Sequence, residues 1–188
     1  EIPQRYFDWL KRRDGRLLAD IFEHNRLDIL SLAALAAHLT ELIDPEGETS
    51  RHHPGDRLAA ARLFLARDLP EEAARLLDPL CGCDCPQASR EALRELSLLH
   101  KRQERWPEAA KLWEEMVRRD GEDGFALVEL AKWCEHRRRD AGQALALTLR
   151  ACACKGLSAD ELADLARRRA RLERKLSPAG PSAPEAGC

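Results

Sequence analysis

The 188-residue chain is predicted to fold as an all-α protein. Leu (31) and Ala (29) dominate it, while Val (2), Ile (4) and Thr (3) are scarce. Strands draw on β-branched and aromatic side chains to pack a pleated surface, so this composition starves a sheet and favours helices. Apolar residues also recur with the 3.6-residue helical period along most of the chain, and helical strings repeat at intervals of 36 and 35 residues.

A first helix is expected over residues 2–13, where Tyr6, Phe7 and Leu10 follow Pro3 at helical spacing. Asp14-Gly15 is expected to close it, with Gly15 as the helix-ending residue. From Leu17 onward, Leu18, Ile21 and Phe22 lead into Asp28, Leu32, Leu35, Leu39 and Leu42. That stripe with a polar head predicts one long helix, or a short one feeding a long one. Asp44-Pro45-Glu46-Gly47 ends the pattern, and the polar run that follows reads as a linker. Residues 1–44 are therefore one unit and 45–54 the linker.

Beyond it, Pro70–Leu77 aligns with Trp106–Trp113 at an offset of 36, and Gln143–Leu147 follows Glu108–Leu112 at 35. These periods sit beside the 34 residues of a helix-turn-helix tetratricopeptide repeat. Each string opens the second helix of a pair, with Pro70 and Pro107 near the first helical position, where a missing N–H costs nothing. The first helices of the pairs are expected over 56–67, 87–103 and 124–137. Small Ala73, Ala109 and Ala144 allow close helix approach, and Leu77, Trp113 and Leu147 fill the space between pairs. Ser158-Ala-Asp-Glu161 is a capping-box pattern that opens a last helix ending near Leu176. Residues 55–176 thus read as a tetratricopeptide-like helical-hairpin solenoid with a capping helix. The tail, 177–188, holds three Pro and two Gly in 12 residues and is expected to be disordered.

Lys and Arg (31) nearly balance Asp and Glu (33), a formal charge of -2, so no global basic field attracts nucleic acid and any such contact must be local. The longest stretch without Asp, Glu, Lys or Arg in the helical body, residues 29–40, is far short of the roughly 20 apolar residues that cross a bilayer. No membrane partner is expected. The chain starts at Glu1 without a basic-then-apolar leader, which reads as a piece of a longer protein without a secretion signal. Seven cysteines, an odd number, favour reduced thiols and a cytoplasmic location over a disulfide framework.

Chemistry is most visible at His24-Asn25-Arg26-Leu27-Asp28, because four residues on a helix place His24 and Asp28 on one face. An imidazole beside a carboxylate suits a metal-and-water site, although this spacing more often makes a surface ion pair or a helix start. The context is broader: Ile2-Pro3, Tyr6-Phe7, Leu10, the turn Asp14-Gly15, His24-Asn25, Asp28-Ile29, Ser31-Leu32 and Leu35. This stretch, about the first 44 residues, resembles the C-terminal end of the YprB-type ribonuclease H-like domain, a branch of the metal-dependent DEDD exonuclease superfamily. The resemblance implies that residues 1–44 are the last helices of such a domain and that His24-x3-Asp28 takes the place of its last motif. It implies a 3'-5' exonuclease-type activity on nucleic acid with two divalent ions (Mg or Mn), Asp28 as a metal ligand, and His24 orienting or deprotonating water. Phosphodiester hydrolysis needs an activated water and a stabilised leaving oxygen, and cations held by carboxylates supply both. The Asp-x-Glu strand motif and the middle Asp would lie upstream of Glu1. Members of this family also often continue into tetratricopeptide-like helices. Asp8, Asp14 and Asp20 match none of the missing positions and are assigned to helix faces and turns.

The thiols Cys81, Cys83 and Cys85 and the pair Cys152 and Cys154 have Cys-x-Cys spacing, unlike the Cys-x2-Cys of common zinc sites, so zinc is not expected and they read as loop or small core thiols. His52-His53 falls in the linker, and packing or exposure accounts for His100 and His136. Two basic runs, Arg137-Arg138-Arg139 and Arg167-Arg168-Arg169 with Arg171, Arg174 and Lys175, can meet phosphates or form the polar face of a capping helix. Nearby Glu135, Asp140, Asp160, Glu161 and Asp164 dilute them, and Trp106, Trp113 and Trp133 read as core fillers. Two functions follow: the C-terminal part of a metal-dependent nuclease carrying a helical-repeat module, or an interaction scaffold whose groove takes a protein or peptide partner.

Overall fold

The computed structural model describes residues 2–44 and 52–177, and every regular element among them is helical. They are α1 (Ile2–Arg12), α2 (Arg16–Ile43), α3 (Pro54–Ala66), α4 (Pro70–Leu77), α5 (Pro86–Arg102), α6 (Trp106–Arg119), α7 (Gly124–Trp133), α8 (Ala141–Ala153) and α9 (Ala159–Leu176). A 3-10 turn, Asp78–Gly82, follows α4, and a π turn, Cys134–Arg138, continues α7. The chain divides into two compact units, Glu1–Ala60 and Ala61–Cys188. Of the expected linker, residues 45–51 lie outside the described residues, as does all of the expected disordered tail beyond Ser177. Pro54, placed at the end of that linker, is already the first residue of α3.

In the first unit α1 packs on α2, and α2 is one uninterrupted helix of 28 residues. The helix stop differs from expectation. Gly15 is right-handed and caps α2, while Arg13 takes the left-handed conformation, φ 55°. The reason lies in Asp14, whose carboxylate accepts the Arg16 backbone N–H at 3.1 Å and so belongs to the start of α2. The chain must turn before it. The Arg13 N–H closes the turn on the Trp9 carbonyl at 2.7 Å, and its guanidinium rests 5.9 Å from the Trp9 ring. The stripe of α2 also departs from a core face. Leu42 is buried, but Phe22, Leu32, Leu35 and Leu39 are exposed, Leu32 by 65%.

The second unit has a continuous core. α5 packs on α6, α6 on α7, α7 on α8 and α8 on α9. Trp113, Leu127, Ala126 and Ala144 are fully buried at its centre, joined by Leu93, Met116, Leu165 and Leu172. Ala73, Ala109 and Ala144 have no exposed surface, and Leu77, Trp113 and Leu147 are buried beside them. The turns between helices repeat as well. Asp68, Glu104 and Arg139, spaced by 36 and 35 residues, are each left-handed with φ between 56° and 59°. The next residue's N–H reaches back across the turn each time, Leu69 to Phe64, Arg105 to His100 and Asp140 to Cys134, at 2.9 to 3.0 Å. Such back-bonds satisfy carbonyls that a helix end leaves unpaired. The capping box of α9 forms as its pattern predicts: the Glu161 N–H donates to Ser158 Oγ, and the Ser158 N–H to Glu161 Oε2 at 2.8 Å.

Candidate functional site

α2 brings His24 and Asp28 to one face a turn apart, with Nε2 3.4 Å from Oδ2. Both are more than half exposed, 65% and 58%. Beside them Arg26 and Glu23 form a pair of their own at 2.5 Å. The arrangement can hold a proton or offer one hard oxygen and one imidazole nitrogen to a cation. Among the described residues, however, no group of three or more His, Cys, Asp and Glu side chains converges to hold a metal ion. Asp28 chemistry fits a divalent ion as one ligand, but the described residues do not complete a site around it. Asp14 and Asp8 lie where the sequence places them: the Arg16 guanidinium binds Asp14 and holds its pKa below the usual range, and Asp8 accepts from Gln4 at 3.3 Å.

The cysteines are free thiols among the described residues. Cys81 donates to the Leu77 carbonyl, Cys134 to Gln143 Oε1 and Cys154 to the Arg150 carbonyl. Burial pushes the Cys81 thiol up to about 11 and raises Cys134 and Cys154 as well. A thiol held protonated is a poor nucleophile, and the buried Cys134 and Cys154 pack as small side chains in the core of the second unit.

The two basic runs serve different ends. Arg168, Arg171 and Lys175 of α9 converge on the Glu135 carboxylate at 2.5, 2.8 and 3.2 Å, and that carboxylate is 1% exposed. The hydrogen bond from Arg171, aided by Lys175 and Arg168, holds the Glu135 pKa at about 2 against its burial. Arg167 pairs with Asp164, and Arg169 with Glu173. Glu135 therefore does not merely dilute the basic patch: three of its cations are spent on one buried acid. The other run stacks. The Arg137 guanidinium lies 4.6 Å from the Trp106 ring centre and that of Arg138 5.3 Å from Trp133. Trp113 is the core filler expected, but Trp106 and Trp133 are only partly buried. Sequence reasoning missed both arrangements, because the partners lie 31 to 40 positions apart, or across a π turn that no residue pattern announces.

Among the described residues, no helix is long and apolar enough to cross a membrane. Residues 1–40, which hold α1 and most of α2, match the family model of the RNase_H superfamily. Over 180 residues the chain is 34% identical to the uncharacterized protein YprB of Bacillus subtilis (strain 168), an alignment that covers 93% of this chain. It covers 43% of YprB, so the chain spans less than half the length of the curated relative it matches.

Proposed function

We propose that this chain is the C-terminal part of a metal-dependent nuclease of ribonuclease H-like fold, with a tetratricopeptide-like helical module attached. The match of residues 1–40 to the RNase_H superfamily carries the reading, because it falls on the helices that present His24 and Asp28 side by side. The exposed apolar stripe of α2 supports it too. A helix that leaves Phe22, Ile29, Leu32 and Leu35 in water has a face suited to packing on further protein. Asp28 serves as one oxygen ligand of a divalent site whose other carboxylates belong to the rest of a longer polypeptide, and His24 orients or deprotonates the attacking water. Nucleic acid is the substrate in this reading.

The test has two parts. The 188-residue chain, given labelled single-stranded DNA or RNA with magnesium or manganese, is expected to leave both intact, since one carboxylate cannot assemble two-metal catalysis. In the longer protein, Asp28→Asn keeps size and helix while removing the charge, and is expected to lower cleavage by a factor on the order of 10³ with folding unchanged. His24→Ala should impair turnover with a smaller loss of metal affinity. Cleavage that survives Asp28→Asn leaves His24 and Asp28 as a surface ion pair and removes this chain from the catalytic site, leaving the scaffold reading for it.

The regular spacing of the left-handed turns and of the buried alanines favours a repeat module in the second unit, which would present a groove to a protein or peptide. Titrating candidate partners against residues 54–177 tests that role separately from catalysis.

A further inference from the structure

The second unit holds a cavity of about 210 Å³ that the nuclease reading does not use. Two indoles, Trp106 and Trp133, line it together with Lys101, Lys132, Arg137 and Arg168. The one carboxylate in its wall, Glu129, is engaged by Lys101 and Lys132 at 2.5 and 2.7 Å. Arg168 is committed to Glu135, so Arg137 is the lining cation left without a carboxylate among the described residues, in a cavity that is otherwise largely aromatic. The volume is smaller than a drug-sized pocket and suits a single ring.

The π turn builds this surface. By widening the backbone after α7, it delivers Arg137 onto Trp106 and the adjacent Arg138 onto Trp133. Single-turn π segments are uncommon and often sit at functional sites. Both arginines are exposed, and no carboxylate among the described residues is paired with Arg137. A guanidinium set over an indole keeps its in-plane N–H donors for a phosphate, and the plane turned away from the ring is left for a base to stack on. Alternating π faces and phosphate donors is how sequence-tolerant single-strand binding works. An acidic peptide would use the N–H donors and leave the indole-backed guanidinium planes idle.

We propose that this cavity is a contact for single-stranded nucleic acid, with one base on the guanidinium plane that Arg137 or Arg138 holds over its indole and a flanking phosphate on the N–H donors of Arg137. The proposal rests on the nuclease reading for its ligand class, and names where on the helical unit the strand is held. The experiment uses the 188-residue chain in excess chelator, with a fluorescein-labelled single-stranded oligonucleotide read by anisotropy. Binding is expected, with log K falling against log salt at a slope of about -1.4 if two phosphates are neutralised. Arg137→Glu should weaken it about tenfold, and Lys111→Glu, on the exposed face of α6, less than about twofold. An abasic strand of equal length should bind at least about fivefold more weakly to the unaltered chain, a comparison that needs no variant. Absence of binding at low salt, an unchanged affinity in Arg137→Glu, or equal binding of the abasic strand overturns the proposal. So does displacement by polyglutamate as efficient as by unlabelled strand, which would make the cavity an acidic-peptide site. Because no metal is present and only binding is read, the outcome is independent of whether Asp28→Asn abolishes cleavage in the longer protein.

Discussion

Glu135 illustrates how much one buried charge decides. Alone, a carboxylate with 1% exposure would be protonated or would unfold its surroundings, yet Arg168, Arg171 and Lys175 keep it ionised. Its pKa in the fold, about 2, lies below the ordinary 4.5, so the stabilisation it contributes is full above about 4.5 and is lost as pH falls towards 2. Glu135→Gln should cost about 3 kcal/mol near neutral pH, by leaving three cations without their counter-charge. The variant should also melt with a flatter pH dependence than the natural chain between pH 5 and 2, roughly the window in which Glu135 takes its proton. Thermal melts across that range decide the matter, and parallel pH profiles would show that the network does not act through Glu135. None of this was legible beforehand, because Glu135 and Lys175 are 40 positions apart.

Helix ends were more legible than helix surroundings. The Ser158–Glu161 capping box was predicted from four residues and forms, because both partners are local. Ser158→Ala should lower stability by about 1 kcal/mol in denaturant titrations, with α9 losing helicity first. The left-handed turns were harder to see. Asp68, Glu104 and Arg139 adopt a backbone that L-residues disfavour, and the one glycine predicted to end a helix, Gly15, does not. Asp14 is the cause, since its bond to the Arg16 N–H claims it for α2 and pushes the stop back to Arg13. Glu104→Gly should therefore stabilise by about 0.5 kcal/mol, relief of the left-handed strain outweighing the added freedom of the unfolded chain. A stability loss there would mean that the Glu104 side chain holds the turn in some other way.

At the scale of the molecule, the second unit has a closed core and the first does not. Residues 54–177, the described part of the second unit with the whole of α3 kept, are expected to fold alone, with strong helical circular dichroism and one cooperative melt, since the core from Leu93 to Leu172 runs through consecutive helices. A broad, non-cooperative transition would place the unit boundary elsewhere. Within that polypeptide Trp113→Ala should cost about 4 kcal/mol, as the largest fully buried side chain leaves a cavity behind. The first unit behaves differently: its stripe obeys helical periodicity, yet most of it stays in water. Periodicity told which side chains share a face, and burial depends on what that face meets.

The sequence by itself determined the helical class, the boundaries of the helices to within a few residues, the recurrence of small and large core positions, and the His24 and Asp28 pair on α2. Each depends on composition or on neighbours within one helical turn, where local stereochemistry suffices. The tertiary structure decided the rest. It assigned Arg168, Arg171 and Lys175 to a buried acid and set Arg137 and Arg138 on two indoles. It also left Leu32 and Leu35 exposed. Those outcomes depend on residues far apart in the chain, and on desolvation that exists only once the helices have packed.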